Sequence, residues 1–261
     1  MRILVTAAGR AIGARTASEL ALAGHEVIAT ARDVTMLNEL DVALRLRMDV
    51  TDDNSVREAI TAAGEIDAVV NNAALSGTAP MEAFPLERLR SMFETNALGP
   101  LRVIQELLPS WRERRSGVIV NVSSVQGRVS TPLGGAYGAT KYALEALSEA
   151  LHYELGHFGI RVVIVEPGYI APGMKNDDPL PHHPAYDGLY EQWEGTDSKM
   201  NEGGRPGPEL VAHAIRAAIE DSSTPLRVPV GDDAAMILGA RAALDDEAFE
   251  AAMRSTLDLS W

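Results

Sequence analysis

Short apolar runs alternate with longer stretches of helical periodicity along this chain. Apolar runs at residues 3–5, 27–30, 44–48, 67–70, 118–122 and 162–165 have the length of strands. A last run, 226–230, contains Pro229, which predicts a strand at a sheet edge. Between these runs, residues 12–23, 54–63, 85–114, 137–157 and 208–221 carry helical spacing, and Gly24 reads as a stop signal for the first helix. Continuous apolar strands separated by helices predict an α/β fold, a doubly wound parallel sheet with helices on both faces. Neither an internal repeat nor an interdomain linker stands out, so residues 1–261 are expected to form a single domain.

Two regions have a different texture. Residues 171–208 are rich in Pro, Gly, His and acids, with Tyr186, Tyr190 and Trp193 spaced to share one face of a short helix. That apolar face predicts a small satellite core under a loop, or a flap over a ligand. The tail, 232–261, is helical in composition and acidic, and is expected to pack on the body or on another subunit.

Composition narrows the function. The chain is 46% hydrophobic, enough for a sizeable core, yet it lacks an apolar run of the ~18 residues that span a membrane. Arg2-Ile3-Leu4-Val5 leads directly into a strand, so a secretory leader is not expected and cytoplasmic residence is the default. With no cysteine, disulfides, a thiolate nucleophile and Cys-ligated zinc are excluded. A net charge of −14 argues against nucleic acid or an anionic membrane as partner. It leaves room for an anionic cofactor, since local cations can dominate one pocket. His182 and His183 lie near Asp177 and Asp178, but adjacent histidines rarely chelate one ion, and no metal is expected.

The candidate chemistry sits around the fifth strand. Asn121-Val122-Ser123-Ser124 closes that strand, and Tyr137 and Lys141 follow, four residues apart and therefore on one helix face. A lysine cation beside a phenol favours the phenolate and lowers a pKa that starts near 10, which makes a proton donor and acceptor usable near neutrality. A hydroxyl such as Ser124 can hydrogen-bond the oxygen whose proton is moving. These groups suit the interconversion of an alcohol and a carbonyl.

From Arg2 to about Val230 the chain resembles the short-chain dehydrogenase/reductase family, a Rossmann-like fold with Ser, Tyr and Lys at this spacing and an Asn upstream. Asn96, in Glu94-Thr95-Asn96-Ala97, stands at the matching place. The resemblance implies that Tyr137 is the general acid/base, that Lys141 lowers its pKa and binds the nicotinamide ribose, and that Ser124 orients the substrate oxygen. Asn96 would support a water that relays protons to Lys141. It also makes residues 171–208 a lid over substrate.

Thr6-Ala7-Ala8-Gly9-Arg10-Ala11-Ile12-Gly13 joins the first strand to the first helix, where backbone amides and the positive helix end can hold a pyrophosphate. The family motif here is Thr-Gly-x-x-x-Gly-Ile-Gly. Ala7 and Ala11 replace two of its glycines, Gly13 stands in register and Gly9 is extra, which predicts a shifted loop that still binds. Ala31 occupies the place of the acid that reads NAD ribose, while Arg32 follows it and Arg10 lies in the loop. Such a pair can flank a 2′-phosphate, so the cofactor is expected to be NADP, as NADPH. Asp33 reads as a turn residue. By resemblance, Asp49-Val50 lies beside the adenine, and Asn71-Asn72-Ala73-Ala74 matches Asn-Asn-Ala-Gly. Pro167-Gly168-Tyr169-Ile170 matches the turn beside the nicotinamide.

Residues expected to face the substrate are Leu75, Gln126, Leu133, Tyr169, Met174, Tyr190 and Trp193. They are mainly apolar, which suggests a small, hydrophobic carbonyl or alcohol as partner. The helices at 85–114 and 137–157 resemble those through which the family forms dimers and tetramers, so a homodimer or homotetramer is expected. Two rival readings remain: a catalytically silent NADP-binding scaffold or sensor, and an imine reductase or epimerase on the same frame.

Overall fold

Strands β1 (Arg2–Val5), β2 (Glu26–Ala31), β3 (Leu44–Arg47), β4 (Ala68–Asn71), β5 (Gly117–Val122), β6 (Ile160–Pro167) and β7 (Arg227–Val230) pair side by side in a computed structural model. The structure describes residues 1–174, 179–200 and 204–261. The sheet order is β3-β2-β1-β4-β5-β6-β7, and every neighbouring pair is parallel. Each strand matches an apolar run of the sequence, and Pro229 falls in edge strand β7, as its missing N–H requires.

Alternate side chains of these strands feed two cores, one on each face. On one face Ile3, Val5, Val27 and Val120 pack with Ala17 and Leu20 of α1 (Ala11–Leu22) and Val211 and Ile215 of α7 (Pro208–Glu220). On the other, Leu4, Ile28, Val69 and Ile119 meet α2 (Asp53–Ala63), α4 (Gly99–Arg114) and α5 (Gly135–Leu155). Burial of both faces is why these strands read as continuous hydrophobic runs. After β3 the chain crosses to β4 on the far side of β1, which opens a crevice at the carboxyl ends of β1 and β4.

Three predicted elements differ in detail. The helix expected over 85–114 is α3 (Leu86–Phe93) and α4 joined by a π-turn, Glu94–Leu98. A single π-turn is too short to stand out from the helical pattern on either side of it, so hydropathy does not reveal it. Tyr186 does not share a helix face with Tyr190 and Trp193. It ends a 3-10 turn, Pro184–Tyr186, and α6 (Asp187–Met200) starts after it. Its ring instead stacks on Trp261, with centroids 6.2 Å apart.

The tail forms α8 (Asp232–Ala243) and α9 (Asp246–Thr256) and packs on the body. Its last residues grip α6: Gln192 Oε1 accepts from Ser260 N at 3.0 Å and from Trp261 N at 3.3 Å. Among the described residues, no helix is long and apolar enough to cross a membrane.

Candidate active site

Beyond the end of β5, Ser124 Oγ accepts from Gln126 N at 3.1 Å and caps a short turn, Val125–Gly127. The same hydroxyl hydrogen-bonds the Tyr137 phenol. One turn further along α5, Lys141 is buried, and its Nζ donates to Val122 O at 2.7 Å while lying 5.7 Å from the Tyr137 ring centroid. The strand end and the first turns of α5 thus bring Ser124, Tyr137 and Lys141 together.

Asn96 lies in the π-turn and is fully buried. Its Oδ1 accepts from Leu75 N at 2.7 Å, and its Nδ2 donates to Leu75 O and to Thr140 Oγ1, both at 2.8 Å. Thr140 Oγ1 donates in turn to Tyr137 O at 2.8 Å. Its protein partners are the main chain of Leu75 and the hydroxyl of Thr140, a residue the sequence does not single out. The signal was a threonine inside a helix, where the hydroxyl needs a local acceptor.

Protonation runs against the expected direction. Burial pushes the Tyr137 phenol up to about 12, against the opposing pull of the Ser124 hydrogen bond. Burial likewise pushes the Lys141 ammonium down to about 8, with the Glu145 charge working to raise it. A phenolate drawn away from water loses part of its hydration, which raises the pKa of the phenol. At neutral pH the tyrosine is therefore a neutral phenol, poised to give a proton.

The crevice at β1 and β4 is held together by hydrogen bonds between Thr6 and Asn72. Thr6 Oγ1 accepts from Asn72 N at 2.9 Å and Ala73 N at 3.1 Å, and Asn72 Nδ2 donates to Thr6 O at 3.1 Å and Ala7 O at 3.2 Å. Gly13 is needed at this junction, because a Cβ there would stand 2.3 Å from Ala7 O and 2.5 Å from Asn72 Nδ2. Arg10 takes the N-cap position of α1 without a side-chain cap hydrogen bond. Ile12, at the start of the helix, packs on the core below. Ala7 and Ala11 hold φ of 50° and 47°, the left-handed conformation that glycine adopts without strain. The backbone therefore holds a glycine-type turn despite two methyl groups.

The other expected contact residues follow the carboxyl ends of β2, β3 and β6. Arg32 is exposed just after β2, and its charge acts with that of Arg47 on Asp49. Burial works to raise the Asp49 carboxyl, but hydrogen bonds from Thr51 and the two arginines together hold it below its usual range. Arg102 donates to Val50 O at 2.7 Å and fixes the neighbouring backbone. Asp33 caps a short turn through Thr35 N at 3.0 Å, as a turn residue should. At the end of β6, Gly168 N donates to Val230 O at 3.0 Å, and Tyr169 N donates to Asp233 Oδ2 at 2.7 Å. Asp233, from the first turn of α8, is a brace that the sequence did not disclose. Ile170 packs on the core beneath this turn.

Of the expected substrate residues, Leu75 packs with Phe84, Leu180 and Tyr137 in a small apolar cluster. Leu133 is buried with φ of 60°, and its carbonyl accepts from Ala79 N at 3.1 Å. Gln126 is partly buried beside Gly134, where an added Cβ would stand 2.6 Å from its Oε1. Tyr169 stacks under Arg205, 5.3 Å from guanidinium to ring centroid. Tyr190 stacks on His182 at 4.8 Å, Trp193 is partly buried on α6, and Met174 is exposed. His182 Nε2 pairs with Asp187 Oδ1 at 2.7 Å, whereas Asp177 and Asp178 lie outside the described residues.

Residues 1–180 match the family described as short chain dehydrogenase. The chain belongs to the short-chain dehydrogenase/reductase family. An oxidoreductase of Schizosaccharomyces pombe, uncharacterised in its own right, is 33% identical over 234 residues, covering 87% of this chain and 98% of that one. A short-chain dehydrogenase from Streptomyces avermitilis superposes with a TM-score of 0.82 at 34% identity, covering 98% of this chain and 97% of that one. A second, from Burkholderia cenocepacia in complex with NADP, gives 0.78 at 26% identity, covering 98% and 96%. This family member is therefore an oxidoreductase of Rossmann-like fold. It departs from the family's motifs at Ala7, Ala11 and Ala74, where glycine is the family residue.

Proposed function

We propose that the protein is an NADP(H)-dependent oxidoreductase that interconverts a ketone or aldehyde with its alcohol. The observation that carries this reading is the meeting of Ser124, Tyr137 and Lys141 beside a cradle built from Thr6, Gly13 and Asn72. The cradle fits a dinucleotide: uncapped amides at the start of α1 suit its pyrophosphate, and the exposed Arg10 and Arg32 suit a 2′-phosphate. Asp49 and Val50 would border the adenine. Asn72, Ala73 and Ala74 would line the middle of the cofactor site. Pro167, Gly168 and Ile170 would border the nicotinamide, and Tyr137 and Lys141 its ribose. NADPH supplies the hydride when bound.

The chain's own residues do the remaining work. In the reductive direction the neutral Tyr137 phenol donates its proton to the substrate oxygen as negative charge develops there. Ser124 holds that oxygen by a hydrogen bond, and the Lys141 charge stabilises the phenolate left behind. Asn96 and Thr140 fix the backbone under Tyr137. Leu75, Leu133 and the aromatic residues of α6 give the substrate region an apolar lining that favours a hydrophobic carbonyl, and α6 acts as its lid.

The methyl groups of Ala7 and Ala11 favour one rival, a scaffold that binds the dinucleotide weakly and turns nothing over. Fluorescence titration with NADPH and NADH, followed by NADPH oxidation on a panel of hydrophobic ketones and aldehydes, separates the two. The reductase reading expects preferential NADPH binding and turnover, and binding without turnover defeats it.

A further inference from the structure

Tyr137, Lys141 and Glu145 follow one another at four-residue steps along α5, so they lie on one face. The third of these has no part in the proposed reaction, yet it is only 4% exposed. Glu145 Oε2 accepts from Arg227 Nε of β7 at 3.0 Å, and Arg227 Nη2 donates to Glu149 Oε2 at 2.6 Å. A second acid, Glu166 of β6, is 1% exposed, with Arg128 Nη1 3.6 Å from its Oε1. The bare backbone of Gly127 makes room for this group: a Cβ there would stand 2.6 Å from Ser123 Oγ and 2.9 Å from Glu145 Cγ.

Glu145 is thus faced by Lys141 and Glu149 on its own helix, Ser123 and Arg128 from the end of β5, Glu166 from β6 and Arg227 from β7. Two buried carboxylates cannot both ionise cheaply at such quarters. Burial raises the Glu145 carboxyl as well, but the Arg227 hydrogen bond and charge pull it back down, and its arginine is the closer one, so of the two acids Glu145 is the one that holds the negative charge. Burial drives Glu166 up to about 7, and the charge of Glu145 pushes it the same way, so it carries a proton well into the neutral range. A buried, ionised acid is costly where packing alone is at stake, because an apolar side chain would fill the space without desolvating a charge.

We infer that Glu145 is a positioning residue for Lys141: its buried carboxylate, anchored by Arg227, keeps the neighbouring ammonium charged while Tyr137 exchanges its proton. Without it, the burial that drives Lys141 towards the neutral amine would go unopposed. The catalytic meaning of this coupling rests on the reductase reading, whereas the coupling itself does not.

The test exploits a chain with three lysines, Lys141, Lys175 and Lys199. Selective carbon-13 labelling of lysine side chains lets NMR follow each titration, with Lys141→Met identifying the signal. In Glu145→Gln the Lys141 midpoint falls by about one pH unit, and the alkaline limb of the carbonyl-reduction profile moves down with it. Glu145→Asp, which withdraws the same charge by one methylene, shifts both by less and serves where Glu145→Gln does not fold. A purely structural role would lower turnover equally at every pH and leave the midpoint in place, and that result overturns the inference. A shifted midpoint in a protein that reduces no carbonyl upholds the coupling and removes the reductase reading instead.

Discussion

The Asn96 side chain donates to the Thr140 hydroxyl at 2.8 Å, which ties the π-turn between α3 and α4 to the helix that carries Tyr137 and Lys141. The same amide clamps both main-chain groups of Leu75. Asn96→Ala leaves those buried groups without their partners, at about 1–3 kcal/mol for each unmet hydrogen bond. A drop of several degrees in melting temperature and a loss of turnover larger than any change in NADPH affinity are expected. Thr140→Val, which keeps the shape but breaks the link to Tyr137 O, reproduces the loss of turnover with a smaller thermal effect. Differential scanning calorimetry and steady-state kinetics check both.

Ala7 and Ala11 sit in left-handed backbone that costs an alanine roughly 1–2 kcal/mol. Ala7→Gly and Ala11→Gly remove that strain, while glycine's greater freedom in the unfolded chain offsets about 0.5–1 kcal/mol of it. Stability therefore changes little. NADPH affinity rises several-fold, most in Ala11→Gly, because glycine at the second position of such a loop lets the backbone approach the pyrophosphate. Calorimetric titration of the variants reads this directly, and unchanged or weaker binding would show that the methyls do not limit the cradle.

Arg32 follows Ala31, the last residue of β2, which stands where an acid would read an unphosphorylated ribose. Replacing Arg32 by Ala removes a charge-assisted contact of about 1.5–3 kcal/mol. NADPH should bind roughly 10–100-fold more weakly by that conversion, with NADH nearly unaffected. Equal losses for the two cofactors would place Arg32 away from the 2′-phosphate.

Glu166 gives a pH dependence with a definite sign. Its folded-state pKa is raised from 4.5 to about 7, so the folded protein holds a proton that the unfolded chain has released across that window. The stabilisation is complete below about 4.5 and is lost as pH rises through about 7. Glu166→Gln has no such proton to lose. Its stability relative to the parent should therefore climb between pH 4.5 and 7 and level off above. Urea denaturation at half-unit pH steps measures the difference, and a flat difference would mean that Glu166 is ionised throughout.

Much of this architecture was legible in the sequence, for physical reasons. A parallel sheet buried on both faces has to be written as apolar runs, and each of the seven was visible. Ser124, Tyr137 and Lys141 stood out because a strand end and one helix face fix their spacing. What escaped were features whose signal lies in the third dimension. The π-turn at Asn96 is too short to stand out from the helical pattern around it. Glu145 and Glu166 look like surface acids until Arg227 and Arg128 close over them. The upward shift of Tyr137 depends on how deeply the phenol is buried, which no spacing reveals. Asp233 reaches the Tyr169 amide from a helix far along the chain. Tyr186 was misplaced because its position relative to Tyr190 matched a helix that starts only at Asp187.

The central claim is that Tyr137 moves the proton in an NADPH-dependent carbonyl reduction. It is tested most directly by comparing NADPH oxidation by the parent protein and Tyr137→Phe on the same hydrophobic carbonyl, with NADPH binding measured alongside. The account predicts that the variant binds NADPH as tightly as the parent and loses turnover by a factor of at least about 10²–10⁴, the span of general acid catalysis. Turnover retained within a few-fold of the parent would contradict it.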